Sequence, residues 1–497
     1  MMRILPLLLA LASGLLAALS FPPWNISWIA LVALIPFLTG TVVRKGGLLT
    51  AIASGFLFGG SFGAATFGWL CAGGRWPDWL GNVGSLAGIG ITWSWFLWRF
   101  VELPPLGQTG GVERKRLGPI LPGSVGQSAA WKASLDHLRI ACLVASCWTF
   151  LEWGRSVLMP GWNFLGIPLA DNLALLQVTR FTGASGLTFI AVFANVIALT
   201  TVRRLVREPG RMTWASRFDF IMTLGGIFLI ALGGFASLQK SVLLDQRQIG
   251  SVLSHTDNVD RLIDLSKDAL TSDLVVWNRA ELRQSDYAKL SAASFGRTLG
   301  LVTGVASAPG RAISGCLVFI PEAIKKVLIP RARGAIFRPY LAQAAQHLDP
   351  FSYKGASWLP LLNWEAGSPL LLRGAIQSQA QVLIVLLDPA PPSRIGAAQM
   401  FKNLLVWSTG FGRPLIFSSR AGGAAIVNSV GRIVASADHA GAGELIRGRI
   451  DIPPATALTP YLQYGDWLPI VCGMLCIMLG ITERLYGTYA KPGRLAT

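Results

Sequence analysis

Long apolar runs dominate the first half of the chain. A membrane-spanning helix needs about 20 consecutive apolar residues, and runs of roughly that length occur near residues 4–21, 26–42, 48–70, 80–98, 138–154, 181–202, 218–238 and 467–484. This pattern predicts a multi-pass α-helical membrane protein with eight transmembrane helices. The first run follows Arg3 and resembles a signal peptide, but more apolar runs follow at once, so we interpret it as an uncleaved first helix.

Between the seventh and eighth runs the pattern changes to short strand-like runs separated by helix-like segments. The strand-like runs are residues 249–253, 273–277, 299–303, 316–320, 381–387, 414–418 and 424–428. The helix-like segments include residues 258–270, 285–296 and 395–405. Continuous Val, Ile and Leu strands with helices between them predict a layered α/β domain of roughly 220 residues, large enough for its own core.

One corner of this insert is predicted to expose a reactive position. An apolar run ends at Leu362, the chain turns, and a helix-compatible segment covers residues 370–376. A strand-to-helix corner presents one side chain at the end of a sheet. Here that side chain is predicted to be Asn363, whose neutral amide cannot form the covalent acyl intermediate that a thiolate forms.

Composition and charge give the chain its orientation. Hydrophobic residues make up 52% of the chain and charged residues only 14%, as expected of a membrane protein. The net charge is +18, but Lys and Arg concentrate in alternate loops, which the positive-inside rule places in the cytoplasm. We therefore predict a membrane domain at residues 1–238, an exoplasmic domain at 239–465, and an eighth helix with a cytoplasmic tail at 466–497. The basic residues give no reason to expect nucleic-acid binding.

Several smaller features carry structural expectations. Gly55, Gly59 and Gly63 form a small-residue stripe that lets a neighbouring backbone approach closely, unless the spacing is chance in a Gly-rich chain. Glu152 and Arg155 form either a structural ion pair or a contact to a lipid head group. Residues 104–136 are interpreted as a flexible cytoplasmic insert, and residues 304–315 as a surface connection or a mobile lid. The spacing of the six Cys and four His residues predicts no disulfide framework, metal site or cofactor.

Short segments spread along the chain resemble the landmarks of bacterial apolipoprotein N-acyltransferase, in that family's order. They are residues 19–24 (LSFPPW), 152–155 (EWGR), 160–166 (PGWNFLG), 273–277 (DLVVW), 325–330 (KKVLIP), 459–461 (TPY) and 465–467 (GDW). The resemblance implies eight inner-membrane helices and a periplasmic nitrilase-like (carbon-nitrogen hydrolase) four-layer sandwich domain. It also implies transfer of an acyl chain from a membrane phospholipid to the N-terminal diacylglyceryl-cysteine of a lipoprotein, through a Cys activated by a Glu and assisted by a Lys.

The residues that the resemblance assigns to this chemistry are only partly retained. Lys325 keeps the family's oxyanion Lys. The family's Trp-Pro-Glu becomes Trp277-Asn278-Arg279, which puts Arg279 at the Glu position. The family's Leu-Val-Pro-Phe-Gly-Glu ends here in Arg333, and its Cys-Tyr-Glu becomes Asn363-Trp364-Glu365.

Nearby residues are poor substitutes for the family's Cys and Glu. The replacements also make the predicted site more positively charged. Glu281 would need a shifted register to act as the base, Cys316 lies in an apolar strand typical of a buried hydrophobe, and Ser368 has no adjacent base. Arg279, Arg333 and Lys325 would repel one another unless an anion lies among them. They are therefore interpreted as an anion-binding pocket, with Trp364 as a further contact, or as solvated surface cations.

Two functions follow from the resemblance. The first is a catalytically impaired relative that binds phospholipid, a lipoprotein N-terminus or another membrane protein, for example in plasmid conjugal transfer. The second is an active N-acyltransferase with rearranged chemistry. Loss of a triad nucleophile costs about a million-fold in turnover, which favours the first.

Overall fold

The computed structural model describes residues 4–44, 46–103, 124–158, 163–207, 214–239, 245–253, 258–280, 286–295, 299–306, 313–320, 323–327, 350–362, 366–367, 369–377, 379–387, 393–438 and 443–487. Up to residue 239 the described chain is helical and forms what we call the helical domain. Its helices are α1 Leu5–Leu19, α2 Ile35–Leu38, α3 Leu48–Thr66, α4 Gly68–Ala72, α5 Trp76–Phe100, α6 Ser124–Leu158, α7 Leu173–Leu176, α8 Thr179–Thr182, α9 Ala184–Arg207 and α10 Trp214–Gln239.

Within the described ranges, three helices are long and apolar enough to cross a membrane. They are Leu48–Thr66, Ala184–Val206 and Arg217–Ala236. Shorter apolar helices lie at Leu5–Leu19, Ser27–Val43 and Trp467–Thr482. The structure thus contains membrane-type helices, whereas the count of eight spans stays a prediction.

The apolar run over residues 26–42 is helical, as predicted, but it is not one regular α-helix. This run is divided into a 3-10 turn at Ser27–Leu31, the short helix α2, and a π-helical turn at Thr39–Val43. Pro36 lacks a backbone N–H and lies in the first turn of α2, where a proline is tolerated. Asn195 of α9 satisfies part of the interrupted backbone, since its Oδ1 accepts from Leu34 N at 2.8 Å and its Nδ2 donates to Ala30 O at 2.8 Å.

The flexible insert expected over residues 104–136 is also partly wrong, because α6 begins at Ser124. Residues 104–123 lie outside the described part of the chain. Ser134 and His137 are buried against neighbouring helices, and His137 Nδ1 lies 2.9 Å from Asp219 Oδ2 of α10. This packing explains why the helix extends beyond the apolar run.

The glycine stripe on α3 makes the close helix contact that its spacing predicts. A Cβ atom added to Gly55 would collide with the backbone of Gly90 on α5, and one added to Gly59 would collide with the backbone of Leu86. At Gly63 the added atom would lie 3.0 Å from the Cα atom of Val83. These glycines therefore let α3 and α5 pack backbone to backbone.

Two six-stranded sheets form the second domain, the sandwich domain (residues 245–452). The first sheet has the order β12-β1-β2-β3-β4-β5 and the second β11-β10-β9-β8-β7-β6. The strands are β1 Asp245–Leu253, β2 Leu274–Ala280, β3 Gly300–Ala306, β4 Ile313–Ile320, β5 Ala323–Val327, β6 Phe351–Tyr353, β7 Ala356–Leu362, β8 Val382–Leu387, β9 Leu415–Ser419, β10 Gly423–Val427, β11 Ile433–Ala437 and β12 Glu444–Ile452.

The remaining helices cover the sheets or continue beyond them. They are α11 Val259–Leu265, α12 Asp286–Ala292, α13 Pro369–Gln377, α14 Arg394–Phe411, α15 Pro460–Tyr464 and α16 Trp467–Gly487. Of these, α11 follows the predicted segment 258–270 only to Leu265, after which a 3-10 turn covers Lys267–Ala269.

The sandwich domain is layered, as the alternation of strands and helices predicts. The inner faces of the two sheets share a core that includes Val276 and Ile384. The outer face of the first sheet, with Trp277, packs on α11 and α12. The outer face of the second sheet, with Leu383, shares a core with Leu404 of α14 and with the helical domain. The α14 layer therefore lies between the second sheet and the helical domain, so the sandwich packs against that domain through this helical layer.

Candidate functional site

Arg279 lies inside strand β2 rather than after it, because β2 extends beyond the predicted end at Trp277 to Ala280. Its backbone pairs with Gly304 of β3, and the register shifts between Trp277 and Arg279. The side chain is only 6% exposed. The position that the resemblance assigns to a carboxylate therefore holds a buried guanidinium.

Asn278, at the register shift, connects the two sheets. Its Nδ2 atom donates to Ser418 O at 2.8 Å and to Leu387 O at 3.3 Å, so the carboxyl ends of β2, β8 and β9 meet. Strand β7 is parallel to β8, and Leu362 pairs with Leu386. The end of β7 therefore lies at the same edge as Arg279. This edge is where a sheet presents functional groups in layered α/β folds.

At the predicted corner, the structure describes the strand that ends at Leu362 and the helix that begins at Pro369. Asn363, Trp364, Glu365 and Ser368 lie outside the described residues, as do Arg333 and Glu281, so their predicted roles stay predictions. The predicted helix after the corner is confirmed, because α13 covers Pro369–Gln377. Ala366 and Gly367, which lead into it, are buried.

The backbone of Lys325 lies in β5, opposite Val318 of β4. Val318 pairs with Val302 of β3, and Val302 with Val276 of β2. Lys325 is therefore aligned across the sheet with Val276. In β2, Val276 lies three residues before Arg279. Residues 304–306 and 313–315, part of the predicted connection, belong to β3 and β4, and residues 307–312 between them lie outside the described ranges.

Cys316 has the structural role that its sequence context predicts. It is 1% exposed in β4 and belongs to the core between the sheets.

Glu152 in the helical domain has a structural role. It is fully buried, and its carboxylate accepts from Leu165 N at 2.8 Å and from Thr188 Oγ1 at 2.7 Å. In the described part of the chain, no group of three or more His, Cys, Asp or Glu side chains could hold a metal ion.

A pocket at the boundary between the two domains was not predicted from the sequence. This junction pocket is a narrow cleft that is partly open to solvent. The helical domain contributes Trp153, Ser156, Val157, Phe164, Ala184 and Ser185, and the other wall consists of Pro369, Arg373, Trp407, Tyr461 and Asp466. Pro369 and Arg373 belong to α13, so the pocket begins where the corner ends.

An ion pair and a phenol form the polar side of the junction pocket. Arg373 Nη1 lies 3.8 Å from Asp466 Oδ2, and the Tyr461 hydroxyl donates to Asp466 Oδ1 at 3.0 Å. Burial raises the pKa of Tyr461 well above its ordinary value, and the carboxylate of Asp466 raises it further. Tyr461 therefore stays a neutral hydrogen-bond donor. Both charges and several aromatic rings thus line one cavity.

Known proteins resemble different parts of this chain. The sequence profile of the apolipoprotein N-acyltransferase N-terminal domain matches residues 13–197. An apolipoprotein N-acyltransferase from Geobacter metallireducens is 28% identical over 213 residues, which cover 41% of this chain and 34% of that protein. One from Bradyrhizobium diazoefficiens is 23% identical over 418 residues, covering 70% of this chain and 74% of that protein. The match to the Geobacter protein thus spans about a third of its length.

Some solved structures resemble slightly less than half of this chain, and only loosely. A carbon-nitrogen hydrolase from Helicobacter pylori G27 has 14% identity and a TM-score of 0.32, covering 46% of this chain and 94% of that one. An amidase from Nesterenkonia sp. has 17% identity and a TM-score of 0.28, covering 45% of this chain and 95% of that one. At these TM-scores, the architecture of the domain rests on its own strands and layers.

Proposed function

Because the chain belongs to the apolipoprotein N-acyltransferase family, we propose that it is an inner-membrane relative that binds phospholipid but has lost acyl transfer. In this proposal eight helices span the membrane and residues 239–465 face the periplasm. Its ligand is a membrane phospholipid, a lipoprotein N-terminus or another membrane protein. Plasmid conjugal transfer is the host process we suggest, on the resemblance alone.

The buried guanidinium of Arg279 carries the proposal. Acyl transfer through a thioester needs a nucleophile and a neighbouring group that accepts its proton. A guanidinium donates hydrogen bonds and has no acceptor atom, so Arg279 cannot take up that proton. Asn363 offers an amide in place of a thiol. Lys325, the oxyanion group in the family's chemistry, would then have no tetrahedral intermediate to stabilise.

The junction pocket supports phospholipid as the ligand class. It combines aromatic and aliphatic walls with one cation and one anion, and it adjoins the corner at Pro369. A zwitterionic head group carries a phosphate that a guanidinium binds and an ammonium that a carboxylate binds. We therefore assign the head group to Arg373 and Asp466, and the start of an acyl chain to the Trp153 and Trp407 side.

Lipid analysis of the purified protein tests the proposal. We expect phospholipid to co-purify with the wild-type chain and the Arg373→Gln variant to retain less of it. Arg394→Gln is the matched control, because Arg394 is exposed at the start of α14 and lies away from the pocket lining. Absence of phospholipid from the wild-type protein, or equal loss in both variants, would contradict the assignment.

An intact-mass measurement separates this proposal from an active N-acyltransferase. After incubation with phospholipid the wild-type chain should carry no covalent acyl group. A covalent acyl adduct would overturn the proposal in favour of the active enzyme. Growth of cells depleted of their own acyltransferase, restored by this chain and lost with Lys325→Ala, would do the same.

A further inference from the structure

Gln399 of α14 crosses the boundary between the domains with every hydrogen-bonding position of its carboxamide in use. Oε1 accepts from Trp69 Nε1 at 2.9 Å and from Asn163 Nδ2 at 2.8 Å. Nε2 donates to Thr66 O at 2.9 Å and to Pro22 O at 3.1 Å. One fully buried side chain thus joins α14 to three separate segments of the helical domain.

Asn403, one turn further along α14, bonds Asn163 in both directions. Asn403 Oδ1 accepts from Asn163 N at 2.9 Å, and Asn403 Nδ2 donates to Asn163 Oδ1 at 2.9 Å. Asn163 has a φ of +52°, a conformation that asparagine adopts more readily than most residues. Asn403 is 0% exposed and Asn163 is 1% exposed. We call Asn163, Gln399 and Asn403 the boundary amides.

The boundary amides adjoin both walls of the junction pocket. Gln399, Asn403 and Trp407 are spaced four residues apart, which places them on one face of α14, and Trp407 lines the pocket. On the opposite wall, Phe164 lines the pocket and directly follows Asn163 in the chain. A shift of α14 along the helical domain would therefore break these amide bonds and change the spacing between Phe164 and Trp407.

The energetics of buried amides favour a role in fixing geometry. A satisfied buried hydrogen bond adds little net stability, but a buried partner left unsatisfied costs the full desolvation of that group. Apolar side chains could join the two domains in many registers, whereas six directional bonds fit one register only. Lys402 adds an ion pair across the same boundary, with 2.8 Å between its Nζ and Asp171 Oδ1.

We infer that the boundary amides are positioning residues that hold the sandwich domain in one register on the helical domain and thereby set the width of the junction pocket. Their effect on a ligand rests on the proposed function, because it requires the pocket to bind phospholipid. Their effect on the register does not.

Asn403→Ala and Asn163→Gly test the inference, with Ser408→Ala as the matched control. Ser408 is equally buried on α14, but its hydroxyl donates to Leu405 O within the same helix. Glycine at position 163 removes the side chain while tolerating the positive φ. If one variant fails to fold, the other still tests the inference.

Hydrogen exchange measures how readily the backbone on each side of the boundary opens. Asn403→Ala should speed exchange in residues 163–176 as well as in α14, whereas Ser408→Ala should leave residues 163–176 unchanged. A fluorescent phosphatidylethanolamine measures the pocket. Each boundary variant loses two hydrogen bonds across the boundary and should bind the lipid about tenfold more weakly.

The outcomes separate the two proposals. If the wild-type protein does not bind the fluorescent lipid, the lipid assignment fails and the exchange measurement still decides the positioning role. If Asn403→Ala and Asn163→Gly match Ser408→Ala in both measurements, the boundary amides do not set the register and the inference is overturned.

Discussion

The side chain of Asn195 replaces a helical hydrogen-bond partner for Leu34, whose backbone N–H it accepts at 2.8 Å. Because Asn195 is fully buried in α9, no water can take its place. We expect Asn195→Leu to destabilise the helical domain by about 1–3 kcal/mol for the unsatisfied backbone group. Thermal unfolding in detergent would measure this. Phe193→Leu, a half-buried change on the same helix, is the control and should cost less.

The glycine contact between α3 and α5 gives a second prediction. Gly59→Ala should disrupt the packing of the two helices, because the added Cβ meets the backbone of Leu86, which cannot rotate away. Gly60→Ala is the matched control, since a Cβ there has nothing within 4 Å. We expect a lower melting temperature for Gly59→Ala only. Equal behaviour of the two variants would show that the contact is dispensable.

Tyr461 gives a prediction in alkaline solution. Burial and Asp466 raise its pKa well above the ordinary 10.0, so the folded protein keeps the phenol proton at a pH where the unfolded chain loses it. Stability from this group is therefore complete below about pH 10 and is lost as pH rises further.

Tyr461→Phe should flatten the alkaline decline in melting temperature measured between about pH 9 and 11. Phenylalanine keeps the stacking of residue 461 on Phe411, where the ring centroids are 5.6 Å apart. Tyr464→Phe, at an exposed tyrosine, should leave the decline unchanged. An identical decline in the wild type and Tyr461→Phe would show that Tyr461 does not cause it.

Restoring the family's residues gives the fourth prediction. Arg279→Glu combined with Asn363→Cys should let the protein form an acyl adduct from phospholipid, seen as added mass. Neither change alone should produce the adduct. The Asn363→Cys variant has a thiol but no Glu to accept its proton, and the Arg279→Glu variant has the Glu but no thiol to be acylated. Adding Lys325→Ala should remove most of the adduct. Acylation of the Arg279→Glu single variant would show that another side chain is the nucleophile.

The sequence alone predicted the secondary structure correctly where a local pattern of residues determines it. The run at 382–387 is a buried strand because it is apolar on both faces. The sequence alone did not predict the structure where a residue far away in the chain determines it. Residues 26–42 have the same hydropathy whether the helix is continuous or broken, and Asn195, which stabilises the break, lies 161 residues from Leu34.

The candidate site shows the same limit. The identity of Arg279 could be read from the chain, but its burial follows from the extension of β2 and from the bond between Asn278 and Ser418, which are 140 residues apart. Asp466 could be noted as part of the landmark at residues 465–467, but Arg373 carried no site signal, because the two side chains meet only when α13 packs beside the residues that precede α16. Tyr461 belongs to the landmark at residues 459–461, but the sequence did not predict that its hydroxyl donates a hydrogen bond to Asp466.

The pairing of β1 with β12 has a consequence for how such a protein can arise. The two strands run antiparallel over nine residue pairs, from Asp245 with Ile452 to Leu253 with Glu444. The chain therefore enters and leaves the sandwich domain side by side. A domain with adjacent ends can be acquired between two existing helices, or exchanged for a diverged copy, without separating them. Such a construction lets the sandwich domain diverge while the helical domain stays unchanged.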